Sequence, residues 1–437
     1  MADTLDVYLS TELVGTLESD VDGRMTFRYA AADPSLALSL SLPPRTEPYD
    51  DTACRPFFAG LLLEGAALQR AADTKRLQVY ETFKLLRVFG AECAGVVRLL
   101  APGDTPQIKQ NYELLEGERL ANEIRAIDQA PNFARDGRVR LSIAGVQAKT
   151  AVKVAAEGIF KPLDGSPSTH ILKIGSDKYP DLPKNEAFCL QLAARDGIPT
   201  SETELRMIDG LPVLLVRRYD RTIDGDVIAE RHQEDFCQAL GYPPAAKYEV
   251  DEDTGDKIGP GFAECAALIR KTRRPAVEIQ TFVRRILFNY LVGNADAHAK
   301  NLSLLYDGHA ELPSLAPLYD VVCTRLYPAV ADHFAMRHGG ILDPAKMSKS
   351  AWEQLADDLG VRFSLIERSA RNLGRMILPE ARALMATAPF TQHPPYARIL
   401  TAIGDRLRHL SDDLGLGIPT DTPPFLLRAP GWDGMSS

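Results

Sequence analysis

The sequence predicts an α+β protein built as two lobes, a strand-rich first half and a helix-rich second half. Three observations predict it. Apolar and polar residues alternate from Leu5 to about Leu42, the period-2 pattern of half-buried strands. A strand, glycine turn, strand pattern recurs between Val139 and Arg217. Helical spacing then dominates from His232 to Leu414. At 437 residues the chain exceeds what one core usually organises, since domains run to about 100–200 residues.

Taken in order, Val7-Tyr-Leu-Ser10 and Met25-Thr-Phe-Arg-Tyr29 read as strands of a small antiparallel sheet, with turns at Asp22-Gly23 and Pro43-Pro44. Helices follow over Phe57 to Ala72 and Val79 to Phe89, then a strand over Cys93 to Leu100. The cluster Ala101-Pro-Gly-Asp-Thr-Pro106 is a boundary signal. Strands are expected over Arg138–Ser142, Thr150–Val154 and His170–Ile174, with a turn over Ile143–Lys149. A helix from Asn185 to Arg195 is stopped by Gly197 and Pro199. Strands near Glu202–Ile208 and Pro212–Arg217 complete that sheet, and the Pro-rich end after Ile418 reads as a loosely ordered tail. The expected parts are an N-terminal subdomain over 1–106, a sheet lobe over 107–231 and a helical lobe over 232–437.

Hydrophobic residues at 45% and charged residues at 25% are ordinary for a globular protein and exclude a fibre or a disordered chain. A net charge of -9 argues against direct nucleic-acid binding, because that affinity comes largely from Lys and Arg displacing counterions. The six cysteines are scattered, with no C-x-x-C pair, and are expected to be reduced thiols. The N-terminus lacks a basic stretch before an apolar core, and no window approaches the ~18 apolar residues of a membrane span. A cytoplasmic protein with no membrane partner is expected.

The segment Gly293-Asn-Ala-Asp-Ala-His-Ala-Lys-Asn301, followed by Leu318-Tyr-Asp320, carries the most chemistry. An apolar helix through Phe282, Ile286, Leu287, Tyr290 and Leu291 leads into it and supplies a rigid support. Phosphoryl transfer needs a base to orient the acceptor hydroxyl and oxygen ligands for magnesium around ATP. Asp296 matches the first task, the Asn301 amide and the Asp320 carboxylate the second. Asp and Asn are also common turn formers, and this motif alone does not decide between the two. His298 reads as a brace of the loop more readily than as a ligand, since magnesium prefers oxygen. Lys300 reads equally as a phosphate contact or a solvated cation.

Four further stretches are candidates. The turn Ser142-Ile143-Ala144-Gly145-Val146-Gln147-Ala148-Lys149 can cover phosphates with its backbone N–H groups, with Ser142 as a phosphoacceptor on the loop itself, or can be an ordinary hairpin. Lys173, flanked by Ile171, Leu172 and Ile174, is a cation on an apolar strand, suited to ATP phosphates with Glu186 as a second partner, or a strand-edge lysine. Val216-Arg217-Arg-Tyr219-Asp-Arg221 can present backbone and the Tyr219 ring to an adenine, or be an exposed arginine cluster. Arg231-His-Gln-Glu-Asp235 can face a substrate, or can begin the helix from Asp235 to Leu240.

Collectively these residues resemble the HipA family, the serine/threonine kinase toxins of bacterial toxin–antitoxin systems. The resemblance runs along nearly the whole chain. It includes Leu13-Val-Gly-Thr16, Leu38-Ser-Leu-Ser-Leu-Pro43, Cys93-Ala-Gly-Val-Val97, Ser142 to Lys149, His170-Ile-Leu-Lys173 and Asn185-Glu186. It continues through Arg218-Tyr-Asp-Arg221, Gln233-Glu-Asp-Phe-Cys-Gln238, Lys247-Tyr-Glu249, Gly293 to Asn301 and Leu318-Tyr-Asp320. It implies a two-lobed protein-kinase-like fold, related to the phosphatidylinositol kinases, behind an N-terminal β-rich subdomain. It implies Asp296 as catalytic base, Asn301 and Asp320 as magnesium ligands, Lys173 on ATP phosphates and Ser142 as an autophosphorylated off-switch. Ile143 to Gln147, Lys149, Arg217, Tyr219, His298 and Lys300 complete the expected nucleotide site. Arg217 departs from relatives that carry Glu there, which bears on the adenine contact.

The partners implied are a HipB-like DNA-binding antitoxin, DNA only through that antitoxin, and a cytosolic protein substrate of the aminoacyl-tRNA synthetase class. A small-molecule kinase of the antibiotic phosphotransferase type shares the Asp…Asn…Asp arrangement, and a non-catalytic co-repressor is the non-enzymatic alternative.

Overall fold

The computed structural model describes residues 3–425 apart from 31–36, 92, 94, 108, 130–147, 177–178, 180, 226, 252, 309–311, 329, 331, 392 and 424. The strand expected over Arg138–Ser142 and the turn residues Ser142, Ile143, Ala144, Gly145, Val146 and Gln147 lie outside the described residues.

The chain begins with β1 (Asp3–Leu9), β2 (Glu12–Ser19) and β3 (Met25–Tyr29), then α1 (Asp51–Gly60), α2 (Gly65–Thr74), α3 (Thr82–Phe89) and β4 (Val97–Leu100). Next come β5 (Asn111–Leu115), α4 (Gly117–Gln129), β6 (Lys149–Ala155), β7 (Gly158–Leu163), β8 (His170–Ile174) and α5 (Leu182–Arg195). Strands β9 (Thr203–Ile208), β10 (Leu211–Arg217), β11 (Arg221–Asp224), β12 (Val227–Glu230) and β13 (Gln233–Asp235) lead to α6 (Phe236–Leu240), α7 (Phe262–Ile269) and α8 (Pro275–Val292). Then β14 (Ser303–Leu305) and β15 (Ser314–Leu315) precede α9 (Lys349–Asp358), α10 (Phe363–Met385) and α11 (Pro394–Asp413).

These elements divide into two compact units. One comprises Met1–Ile174, Met207–Lys247 and Leu302–Ala316, the other Gly175–Arg206, Tyr248–Asn301 and Pro317–Ser437. In the first unit an antiparallel sheet of order β3-β2-β1-β4 turns Leu5, Val7 and Leu9 into a core with Phe57, Phe58, Leu85 and Leu86 from the helices. Burial of such side chains contributes about 1.5–3 kcal/mol each. The turn before β3 is set by Asp20, whose Oδ1 accepts the Asp22 and Arg24 N–H groups at 3.0 and 2.9 Å, the Asx arrangement that short acids favour. The one helix expected over Phe57 to Ala72 is two helices. Leu61, Leu62 and Leu63 are buried between them, and Gly65 takes a left-handed φ of 53°, which ends helical continuity.

A second sheet runs β5-β7-β6-β8-β10-β9. Val152, Ile159, Leu172, Ile174, Val213 and Leu215 pack there against Ile124 and Ile127 of α4. The helical run expected after His232 is interrupted by the small sheet β13-β14-β15. Within Arg231 to Asp235, His232 and Glu234 are buried, and His232 Nε2 donates to the Leu38 carbonyl at 3.0 Å. Asp235 caps α6, accepting the Gln238 N–H at 2.9 Å while the Gln238 side chain accepts the Asp235 N–H at 3.0 Å, a capping box.

The buried Glu234 carboxylate accepts from Ser39 Oγ at 2.5 Å, from the Leu40 N–H at 3.1 Å and from the Tyr306 hydroxyl. Burial outweighs those donors and raises it from 4.5 to about 7. A folded-state value above the unfolded one means stability fully present below 4.5 and lost as pH climbs through about 7, roughly 3 kcal/mol across that window. Glu234→Gln is expected to flatten the fall in melting temperature between those limits and to melt above the parent chain at pH 8. Parallel pH–Tm curves for the two proteins would contradict this role.

The second unit packs α8, α10 and α11 together, with α5 against α10 and α11. Helix α8 is buried along most of its circumference, from Ile279 and Phe282 to Leu291 and Val292. No helix among the described residues is long and apolar enough to cross a membrane.

Candidate active site

Helix α8 delivers the loop that carries most of the candidate chemistry. Pro275 stands at its first turn, where a missing N–H costs nothing. At the other end Gly293 adopts φ 69°, ψ 45°. Its N–H donates to the Tyr290 carbonyl at 3.2 Å and the Asn294 N–H to the Asn289 carbonyl at 2.9 Å, the paired bonds of a Schellman stop. A Cβ at Gly293 would meet Arg325 Cδ at 2.6 Å, so both backbone and space call for glycine.

Beyond Gly293 the loop is held from within. Asn294 Nδ2 donates to Asn289 Oδ1 at 2.9 Å, and Asn294 Oδ1 accepts the Asp296 N–H at 3.1 Å. The His298 N–H donates to the Asp296 carbonyl at 2.9 Å. The Asn301 Nδ2 donates to that same carbonyl at 2.8 Å, which commits the amide nitrogen and leaves the lone pairs of the Asn301 side-chain oxygen for another partner. The residues Ala299–Asn301 form a single 3₁₀ turn. The Asp296 side chain is 48% exposed, whereas His298 is buried with Nε2 3.7 Å from Asp296 Oδ1. Lys300 is buried too, which removes the solvated-cation reading.

The segment with Asp320 is bound to this loop. Tyr319 Oη donates to the Lys300 carbonyl at 2.8 Å. Thr324 Oγ1 donates to the Gly293 carbonyl at 2.8 Å and accepts the Ala295 N–H at 2.9 Å. The Leu318 N–H reaches the Pro199 carbonyl at 2.8 Å. Asp320 itself sits at φ 58°, a left-handed conformation tolerated best by short polar side chains and concentrated at functional positions. Beneath the loop, Arg325 pairs with Asp332 and Asp405 at 3.2 and 2.9 Å, and Arg406 with Asp332 at 2.6 Å.

Asn294, Tyr319 and Thr324 hold this loop by hydrogen bonds, a role that the sequence did not assign to them. Tyr248, within Lys247-Tyr-Glu249, is another such residue. Its hydroxyl donates to Asp296 Oδ1 at 2.5 Å.

In the other unit, Lys149 of β6 and Lys173 of β8 are direct register partners, so their side chains leave the sheet on one face. Both are buried. Like charges opposite one another destabilise a sheet unless an anion offsets them. Glu186, on α5 of the unit that carries the loop, is fully buried. Arg217, at the end of β10, is exposed and paired in register with His170. Tyr219 donates its hydroxyl to Gln233 Oε1.

The rest of the arginine string is interior. Arg218 grips Asp220 with two bonds of 2.9 and 2.6 Å, and Arg221 adds a third at 2.7 Å. Arg221 also pairs with Glu230 at 2.9 Å, and Arg98 of β4 binds the other Glu230 oxygen. Burial opposes ionisation of Asp220, but the two guanidiniums outweigh it and lower the carboxyl to about 2. Arg218 and Arg221 are therefore structural, and only Arg217 of the three is exposed.

Among the described residues no group of three or more His, Cys, Asp or Glu gathers as a metal cluster. The Asn301 amide oxygen and the Asp320 carboxylate are hard oxygen donors from two residues, which fits an ion that keeps waters and takes its remaining ligands from phosphates, as magnesium does.

Comparison with known proteins gives this arrangement a family. Residues 5–100 match the HipA N-terminal domain and residues 141–383 the HipA-like C-terminal domain. Y4mE of Sinorhizobium fredii is 37% identical over 381 residues, 84% of this chain and 89% of that protein. The serine/threonine-protein kinase toxin HipA of Shewanella oneidensis is 29% identical over 391 residues, 87% of this chain and 88% of that one. The solved structure of HipA from Shewanella oneidensis MR-1, in complex with HipB and its operator DNA, superposes with a TM-score of 0.81 at 25% identity, covering 94% of this chain and 97% of that one. With both domain families matched in order and the kinase-like α+β fold shared over 94% of the chain, this chain belongs to the HipA family.

Proposed function

We propose that this protein is a HipA-like toxin, an ATP-dependent serine/threonine protein kinase that phosphorylates a cytosolic translation protein of the aminoacyl-tRNA synthetase class and so arrests growth. The observation that carries the reading is the Gly293–Asn301 loop, with a half-exposed Asp296 and the Tyr319–Thr324 segment hydrogen-bonded along it. Asp296 takes the proton of the acceptor hydroxyl as that oxygen bonds to the γ-phosphorus and the bond to ADP breaks. Asn301 and Asp320 would hold magnesium, which neutralises phosphate charge when bound. The paired, buried Lys149 and Lys173 suit a triphosphate, and Ile143, Ala144, Gly145, Val146 and Gln147 are assigned to the covering loop. Arg217 and Tyr219 are assigned to the adenine, Lys300 to the transferred phosphate, and His298 to bracing the base.

Regulation follows the same reading. Phosphate on Ser142 adds about two negative charges, which repel those of ATP and switch the enzyme off. A HipB-like antitoxin is the proposed partner, supported by the HipB and operator DNA present with the solved relative. DNA is reached through that partner, in keeping with the net charge of -9. Functionally the chain is taken as an N-terminal subdomain over 1–106, a nucleotide lobe over 107–231 and a catalytic lobe over 232–437, acting in the cytoplasm.

The test is transfer of labelled γ-phosphate from ATP by the purified, antitoxin-free chain to a panel of purified aminoacyl-tRNA synthetases, with Asp320→Ala alongside. Labelling of one synthetase, lost at least about a hundredfold in the variant, is expected. Labelling of metabolites without any protein would mark a small-molecule kinase, and no transfer at all would mark a co-repressor.

A further inference from the structure

The motif Lys247-Tyr-Glu249 has a chemical task that the roles above leave unassigned. Tyr248 Oη lies 2.5 Å from Asp296 Oδ1. Its ring meets the His298 imidazole edge to face, with centroids 5.2 Å apart at 87°, and His298 Nε2 faces the same Oδ1 at 3.7 Å. Among the described residues no hydrogen bond or ion pair falls on Asp296 Oδ2. The two oxygens of one carboxylate are therefore unequal. One is held by protein and the other is open to the medium.

The backbone that delivers the phenol is fixed. The Glu249 N–H donates to the Ala335 carbonyl at 3.0 Å, and the Glu249 carbonyl accepts the N–H groups of Ile258 and Gly259 at 2.9 and 3.2 Å. The Glu249 carboxylate accepts the Arg337 N–H at 2.6 Å. A tyrosine next to so anchored a residue has few ways to leave its partner, since only two side-chain torsions remain to it.

We propose that Tyr248 is a positioning residue for phosphoryl transfer: it occupies Oδ1 of Asp296 and fixes the side chain so that Oδ2 is presented to the hydroxyl of the acceptor. The inference rests on Asp296 as the base. An unheld aspartate at a half-exposed position samples several rotamers, and a base must lie within hydrogen-bond reach of the proton that it takes. The phenol keeps its own proton throughout; the proton of the acceptor goes to Oδ2. Tyr248 thus acts through Asp296 and has no share in nucleotide binding.

The test is single-turnover autophosphorylation of the full chain with magnesium and ATP, followed against ATP concentration for the parent protein, Tyr248→Phe and Asp296→Asn. Tyr248→Phe keeps the ring on His298 and loses only the hydroxyl, so its melting temperature should stay within about 2 °C. Its maximal rate is expected to fall about tenfold or more, with half-saturating ATP unchanged within about twofold. A general packing defect would lower the melting temperature as well. A maximal rate equal to or above that of the parent, or a loss seen only as weaker ATP saturation, overturns the positioning role. If Asp296→Asn remains active, or the parent incorporates no phosphate, the kinase reading itself fails and this inference falls with it. If the parent is active, Asp296→Asn is not, and Tyr248→Phe matches the parent, the positioning role alone is wrong.

Discussion

Asp296→Asn is expected to slow phosphoryl transfer by about 10²–10⁴-fold, the usual share of a general base, with ATP affinity unchanged. The substitution keeps volume and keeps an acceptor for the Tyr248 hydroxyl, whose 2.5 Å bond and edge contact with His298 hold the side chain. It removes only the ability to accept the proton. A fluorescent ATP analogue measures binding, and single-turnover labelling measures the rate. A loss below about tenfold would place the base elsewhere, since uniform binding effects do not lower the chemical step.

The loop around Asp296 was legible in the sequence because its determinants are local. An apolar run at helical spacing, a glycine that stops it, and Asp and Asn within nine positions all fall in one window. The same holds for Asp235, which caps the helix next to it. What could not be read depends on distant partners. Glu234 finds Ser39 195 positions away, and Arg98 finds Glu230 at 132, so a stretch that looks like a charged loop is interior. Tyr248 belongs to a motif that reads clearly, yet its partner lies 48 positions on, and spacing alone gives it no role. Register supplied another missing fact: Lys149 and Lys173 look unrelated in sequence and are direct neighbours across β6 and β8. The break between α1 and α2 escaped notice because Leu61, Leu62 and Leu63 continue the apolar pattern through residues that are not helical.

Asp220→Asn is the substitution expected to damage the fold most. It leaves Arg98, Arg218 and Arg221 with Glu230 as the remaining carboxylate of their network. Removing one partner of a buried ion pair typically costs about 3–5 kcal/mol, because the other charge stays desolvated. A drop in melting temperature on the order of 10 °C is expected. The exposed Arg206–Glu204 pair, at 2.6 Å, is the control: Glu204→Gln should change stability by less than about 1 kcal/mol. The acid limb has the same origin. Since the Asp220 value is lowered from 3.8 to about 2, its contribution is fully present above 3.8 and is lost as pH falls through about 2. Equal melting shifts in the two variants would mean that the arginine string is not a buried network.

The central claim is that this chain transfers phosphate to protein hydroxyls through Asp296. Phosphopeptide mass spectrometry after brief expression without antitoxin, parent chain against Asp296→Ala, tests it most directly, because it reports acceptor, autophosphorylation and dependence on the base together. Phosphorylated Ser142, and a phosphorylated serine or threonine on a translation protein, are expected with the parent chain and absent with the variant. The same phosphopeptides at equal abundance in both, or none in either, would contradict the claim.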